Sequence, residues 1–165
     1  MSSKIYFPTQ NCAPAPLRLT ISRKIRFEEV DLMNIVWHGR YPSYFEDGRI
    51  ALGDVYGIGY KDLYMSNIAA PIKKMHIDYI KPLNFGETIT IETILHWTEA
   101  ARMNYEFIIR NSSNEITTTG YTVQLFIKDN ELMMFQPDLF AELCEKWKSG
   151  TLSPLRPIND FSSAI

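Results

Sequence analysis

The chain reads as an α+β domain built on an antiparallel sheet. One long helical stripe of apolar residues lies between a first strand candidate and four later ones. The later strands are separated by short segments rich in turn residues, as hairpins require. The length, 165 residues, fits one domain. A helix laid on a curled antiparallel sheet of about five strands buries both apolar surfaces.

Residues 1–16 predict an irregular arm, because Pro14-Ala15-Pro16 cannot donate the hydrogen bonds of a central strand. Leu17, Leu19, Ile21, Ile25 and Phe27 then alternate with polar residues as in a half-buried strand. Arg23 is the one mismatch in that alternation. Residues 28–37 match neither period and predict a loop. Tyr41, Tyr44, Phe45, Gly48, Leu52 and Val55 recur at helical spacing, giving a helix from near Arg40 to near Tyr56. Gly57 and Gly59 stop it, and residues 60–70 have room for a short second helical turn. Four strands follow at Ile72–Ile80, Thr88–Trp97, Arg102–Arg110 and Ile116–Lys128. The alternation of the last one shifts near Gly120, where a bulge or bend is expected. Pro137 precedes a short helix carrying Leu139, Leu143 and Trp147 on one face. The expected organisation is an arm at 1–16, a domain at 17–130, and a C-terminal extension with a short helix at 131–165.

Composition narrows the function. A net charge of −2, from 17 basic and 19 acidic side chains, does not direct the protein to nucleic acid. No segment approaches the length of a membrane span. Lys4 is followed by no long apolar run and Pro8 interrupts early, so no signal peptide is expected and the cytoplasm is the expected compartment. Cys12 and Cys144 have no metal spacing and read as free thiols. His76 and His96 bear no ligand spacing to His38, so no metal or cofactor is expected. There is no Gly-rich phosphate loop and no GxSxG elbow.

The informative segment is Arg26–Glu46, RFEEVDLMNIVWHGRYPSYFE. It joins the first strand to the long helix, a common place for a site. It holds Glu28, Glu29, Asp31, Asn34 and His38 among aromatics. By charge alone the three acids suit a solvated turn, and His38 suits a helix start. Further on stand Ile77-Asp78-Tyr79-Ile80-Lys81-Pro82-Leu83 and Phe85-Gly86-Glu87-Thr88-Ile89. Together these two stretches resemble the 4-hydroxybenzoyl-CoA thioesterase and YbgC-like branch of the hotdog-fold thioesterases. The resemblance covers about residues 17–130.

The resemblance implies a hotdog fold, one long central helix wrapped by the curled sheet. It implies hydrolysis of an acyl-CoA, or of an acyl-carrier-protein thioester, to a free acid and a thiol. The family's catalytic carboxylate falls on Asp31. The backbone N–H facing the thioester oxygen falls on His38, where a helix N-terminus offers unpaired donors. By position, Met33, Asn34, Ile35, Trp37 and Tyr41 then suit substrate binding. Trp37, Tyr41 and Tyr44 suit helix–sheet packing equally well. Glu46, two turns along the helix, is a reserve carboxylate; a buried glutamate paired with Arg49 or with a strand residue is the structural alternative. Lys73, Lys74 and Arg102 suit either coenzyme A phosphates or a solvated strand face. The chain departs from the family pattern at Val30, Asn34 and Arg40; Asn34 replaces a glycine but tolerates a left-handed backbone. The family implies a homodimer or a dimer of dimers. The competing functions are a hydratase, whose Asp–His motif is not seen, and a non-catalytic acyl-CoA-binding or structural protein on the same fold.

Overall fold

The structure is a computed structural model that describes residues 6–157. The expectations for residues 1–5 of the arm, Lys4 included, and for residues 158–165 lie outside the described residues. Strand β1 (Leu17–Lys24) leads through a loop to helix α1 (Tyr41–Tyr56) and the short helix α2 (Tyr60–Met65). Strands β2 (Ile72–Tyr79), β3 (Thr88–His96), β4 (Arg102–Arg110) and β5 (Ile116–Leu125) follow. A small hairpin of β6 (Ile127–Lys128) and β7 (Glu131–Leu132) precedes helix α3 (Asp138–Lys148).

The local causes are those the sequence displays. Pro42 sits in the first turn of α1, where a missing N–H costs nothing. Gly57 ends the helix at φ 71°, its N–H bonded to the Gly53 carbonyl. The Asn111–Glu115 turn closes with Asn114 at φ 61°. Strand β5 is shorter than expected, because the chain leaves the sheet at Phe126 and turns into the β6–β7 hairpin. Register shifts occur at Ile109/Arg110 and Ile72/Lys74, whereas Gly120 keeps regular pairing with Phe107 and Ile77. The expected bulge is therefore displaced from Gly120.

The sheet order is β1-β3-β4-β5-β2, with every pairing antiparallel. Helix α1 lies across one face, where the Phe45 ring stacks on Phe107 at 4.2 Å. Tyr44, Leu52, Ile91, Leu95 and Phe107 are fully buried there. The expected curled sheet wrapped around a central helix is not what forms. The sheet is open, with β1 and β2 as separate edges, and Glu46 and Ile50 remain exposed on the far side of α1. Five strands span about 19 Å at the usual ~4.8 Å spacing, wider than a helix of about 10–12 Å. A sheet of that width covers the apolar stripe of the helix without closing on it.

The face opposite α1 carries part of the arm. The Tyr6 hydroxyl donates to Asp78 Oδ2 at 2.7 Å, and Phe7 packs edge-on against Tyr121 at 5.4 Å. Trp147 Nε1 of α3 donates to the Ala15 carbonyl at 2.9 Å. Both cysteines are free thiols, Cys12 exposed in the arm and Cys144 buried in α3. Among the described residues no helix is long and apolar enough to cross a membrane.

Candidate active site

The loop between β1 and α1 is ordered by its own hydrogen bonds. A single 3-10 turn, Phe27–Glu29, follows the strand, and Glu29 Oε2 accepts the Arg26 N–H at 2.7 Å. Val30 and Val36 then form an antiparallel bridge that closes a tight turn between them. Inside it the Asp31 N–H donates to the Ile35 carbonyl at 2.9 Å, and the Asn34 N–H to the Asp31 carbonyl at 3.0 Å. Asp31 Oδ1 accepts the Met33 N–H at 2.8 Å. Asn34 adopts φ 63°, a left-handed conformation that glycine meets most easily and asparagine tolerates.

This turn is tied to the second motif. Ile35 bridges Asn84, and the Val36 N–H donates to the Leu83 carbonyl at 2.8 Å. The two stretches that carry the sequence resemblance are therefore hydrogen-bonded neighbours in the fold.

The helix begins earlier than its apolar stripe. Trp37 is extended, and His38–Arg40 form a 3-10 turn running directly into α1. Among the described residues the N–H groups of His38 and Gly39 have no hydrogen-bond partner. The Tyr79 hydroxyl donates to the His38 carbonyl at 3.0 Å, and the Tyr79 ring meets Tyr41 edge-on at 4.9 Å. Gly39 leaves room for the Trp37 indole, which a Cβ there would strike. Beside this helix start lies an open groove of about 310 Å³, walled by Ile35, Val36, His38, Tyr41, Tyr79 and Pro82.

Of the residues singled out in the sequence, Ile35, His38 and Tyr41 meet in the groove. Trp37 lies against the His38 ring at 4.9 Å. Asp31, Met33 and Asn34 sit on the adjoining turn and do not line the groove within one chain. Asp31 is half-buried, whereas Leu32 and Met33 are exposed. Glu46 is exposed on α1 beside the Tyr60 hydroxyl, which burial pushes up. Arg49 is buried with its Nε and Nη1 unpartnered, so the Glu46–Arg49 ion pair does not form. Tyr44 is wholly buried and belongs to the helix–sheet core.

Behind the turn stands a cluster that sequence reasoning missed. Arg23 points inward and binds Glu29 Oε1 at 2.6 Å as well as Asp47. Its guanidinium also lies 4.7 Å above the Tyr44 ring. Burial raises the Asp47 carboxyl, outweighing the opposing pull of Arg23. Burial likewise raises the Tyr44 hydroxyl, with the Glu29 charge adding to it. Glu29 is thus a buried anchor rather than a solvated turn acid. The signal was Arg23, the single charge at an inward position of β1.

Known proteins resemble this chain in sequence and in fold. The profile of the thioesterase-like superfamily matches residues 25–143. The candidate acyl-CoA thioesterase YneP of Bacillus subtilis (strain 168) is 29% identical over 127 residues, covering 77% of this chain and 90% of the relative. A chloroplastic acyl-acyl carrier protein thioesterase of Arabidopsis thaliana is 24% identical over 58% of this chain and 50% of its own length. The crystal structure of a DHNA-CoA thioesterase from Staphylococcus aureus superposes with a TM-score of 0.67 at 23% identity, over 81% of this chain and 95% of that one. That last likeness is one of fold. Since the family profile spans the loop, helix α1 and strands β2 to β5, the chain belongs to the thioesterase-like superfamily, as a hotdog-type hydrolase of acyl thioesters.

Proposed function

We propose that this chain hydrolyses an acyl-CoA thioester to a free acid and coenzyme A. Asp31 attacks the carbonyl or activates water, and the N–H of His38 holds the oxygen as it gains charge. The observation that carries the reading is the pair of free N–H groups at His38 and Gly39, opening beside an apolar groove. Unpaired donors at a helix start provide positive potential where a thioester oxygen becomes negative. Ile35 and Tyr41 supply apolar surface for the acyl group, with Met33, Asn34 and Trp37 around the turn. Glu46 is the reserve carboxylate.

The site is completed by a second copy. Asp31 does not line the groove of its own chain, and Leu32, Met33 and Phe27 stand exposed around it. A homodimer covers those side chains and brings the turn of one protomer toward the groove of the other. Sedimentation at micromolar concentration should give a dimer or larger; a monomer alone would refute this assembly.

Catalysis is tested by released thiol. Asp31→Asn keeps size and most hydrogen bonding but removes the charge, so turnover should fall about 10²-fold or more at saturating acyl-CoA. His38→Ala should change turnover little, because the donor is a backbone group. His38→Pro removes that donor at a position where proline suits a helix start, and should lower turnover by about 10²–10³-fold. Turnover of Asp31→Asn within about threefold of the parent excludes Asp31 as the catalytic carboxylate. The carrier-protein relative makes acyl-carrier-protein thioesters the second substrate class for the same assay.

A further inference from the structure

A polar cavity outside the loop–helix region lies on the opposite face of the sheet. The arm is fastened there at both ends. Tyr6 donates to Asp78 at one end, and the Ala15 carbonyl accepts from Trp147 at the other. Between these fastenings the arm bridges over β3 and β4 and encloses a cavity of about 310 Å³. That volume reaches the lower end of small-molecule pockets.

The cavity is polar below and apolar at its walls. At its floor Asn104 is only 4% exposed, and its Oδ1 has no hydrogen-bond partner. A buried acceptor left unpaired is unfavourable, so a donor belongs there. Beside it His96 Nε2 and Glu106 Oε2 lie 2.7 Å apart and occupy each other. At the mouth stand two exposed arginines. Arg18 is bonded to Glu92 at 2.7 Å, whereas Arg102 has no carboxylate partner among the described residues. Phe7, Pro8, Pro14 and Trp97 form rigid apolar walls between floor and mouth. Such walls favour a flat ring over a flexible chain, which loses more freedom on binding.

From this polarity we infer a second ligand site, under the arm, for a small aryl carboxylate that carries a hydrogen-bond donor. The donor reaches Asn104 Oδ1, the ring lies between the walls, and the carboxylate meets Arg102 at the mouth. Glu106 does not repel the ligand's anionic end, because that end stays at the mouth and Glu106 is paired with His96 below. The site is remote from the catalytic loop. Leu17 pairs Leu95 near the cavity, and Lys24 pairs Thr88 near the loop, about 23 Å apart along the strand. Occupancy therefore bears on the arm rather than on the thioester.

Titration calorimetry on the full chain tests this with 3-hydroxyphenylacetate as the probe. Phenylacetate lacks its donor and 3-hydroxybenzyl alcohol lacks its carboxylate. One saturable site with Kd of about 1 mM or tighter is expected for the probe. Each control should bind about fivefold to tenfold more weakly. Arg102→Ala, an exposed position, should weaken the probe about tenfold. Asn104→Leu should erase the preference for the hydroxylated acid over phenylacetate. Asp31→Asn should leave probe binding unchanged, which separates this site from the proposed catalytic one. Absence of saturation up to ~20 mM, more than ten times the expected Kd, overturns the inference. So does binding indifferent to Arg102→Ala, or binding lost in Asp31→Asn.

Discussion

Arg23 shows how much one residue can organise. Its guanidinium holds Glu29 and Asp47 together beneath the loop between β1 and α1, and Arg23 and Glu29 have side chains 8% and 4% exposed. Removing the cation leaves two carboxylates in a water-poor place. Breaking a buried pair in this way typically costs about 3–5 kcal/mol. Arg23→Met should therefore lower stability by about 3 kcal/mol or more, read as the shift in a urea unfolding midpoint. Adding Glu29→Gln and Asp47→Asn to that variant should recover part of the loss, because the stranded charges are gone. A single variant as stable as the parent would show that the cluster is held by something else. Arg23 was signalled by its inward phase on β1, but its partners were not. Asp47 is 24 residues away, on the far side of the loop, and no local pattern pairs them. Asn34 was legible for the opposite reason. Its left-handed backbone is a local demand, and few residues other than glycine meet it.

Elements were read well where one periodicity ruled from end to end. Helix α1 carries its apolar stripe through to Gly57, and β4 alternates from Arg102 to Arg110 as expected. Reading failed where tertiary contacts set the outcome. The irregularity of β5 falls at Thr117, three residues before Gly120, whereas Gly120 itself answers to packing. A Cβ there would strike both the Phe45 ring and the His76 carbonyl oxygen, so glycine is what lets α1 settle on the sheet. Gly120→Ala should cost about 1–3 kcal/mol through overpacking, measured by thermal or urea unfolding. A stability equal to the parent's would mean that Phe45 moves aside freely. The curl of the sheet was illegible as well. Strand count and hairpin spacing say nothing about whether β1 and β2 approach each other, and here they remain separate edges.

At the scale of the whole molecule, the chain is a two-sided sheet with unlike loads. One face buries the aromatic and aliphatic stripe of α1, while the other is polar and receives the arm. The arm was expected only to be irregular. Its seat could not be foreseen, because Tyr6 and Phe7 find partners on β2, β3 and β5, between 70 and 115 residues later in the chain. The loop–helix region was legible in outline, through two motifs that prove to be neighbours. One group of exposed apolar residues, Phe27, Leu32, Met33 and Phe85, stands about the loop between β1 and α1.

The placement of the two cysteines has a practical consequence for spectroscopy. Burial pushes the Cys144 thiol up to about 12, against the opposing hydrogen bond from Gln136, so it stays protonated and enclosed at pH 8. The thiolate is the reacting species, and Cys12 is exposed. A maleimide dye should therefore modify one thiol per folded chain, with the second following only after denaturant is added; two equivalents reacting at equal speed in the native protein would contradict the burial of Cys144. Cys12 lies in the strap that roofs the cavity, close to Gln10 and Ala13 at its wall. A fluorophore attached there becomes a native-sequence gauge of whether the strap is seated or lifted, with no engineered label site required.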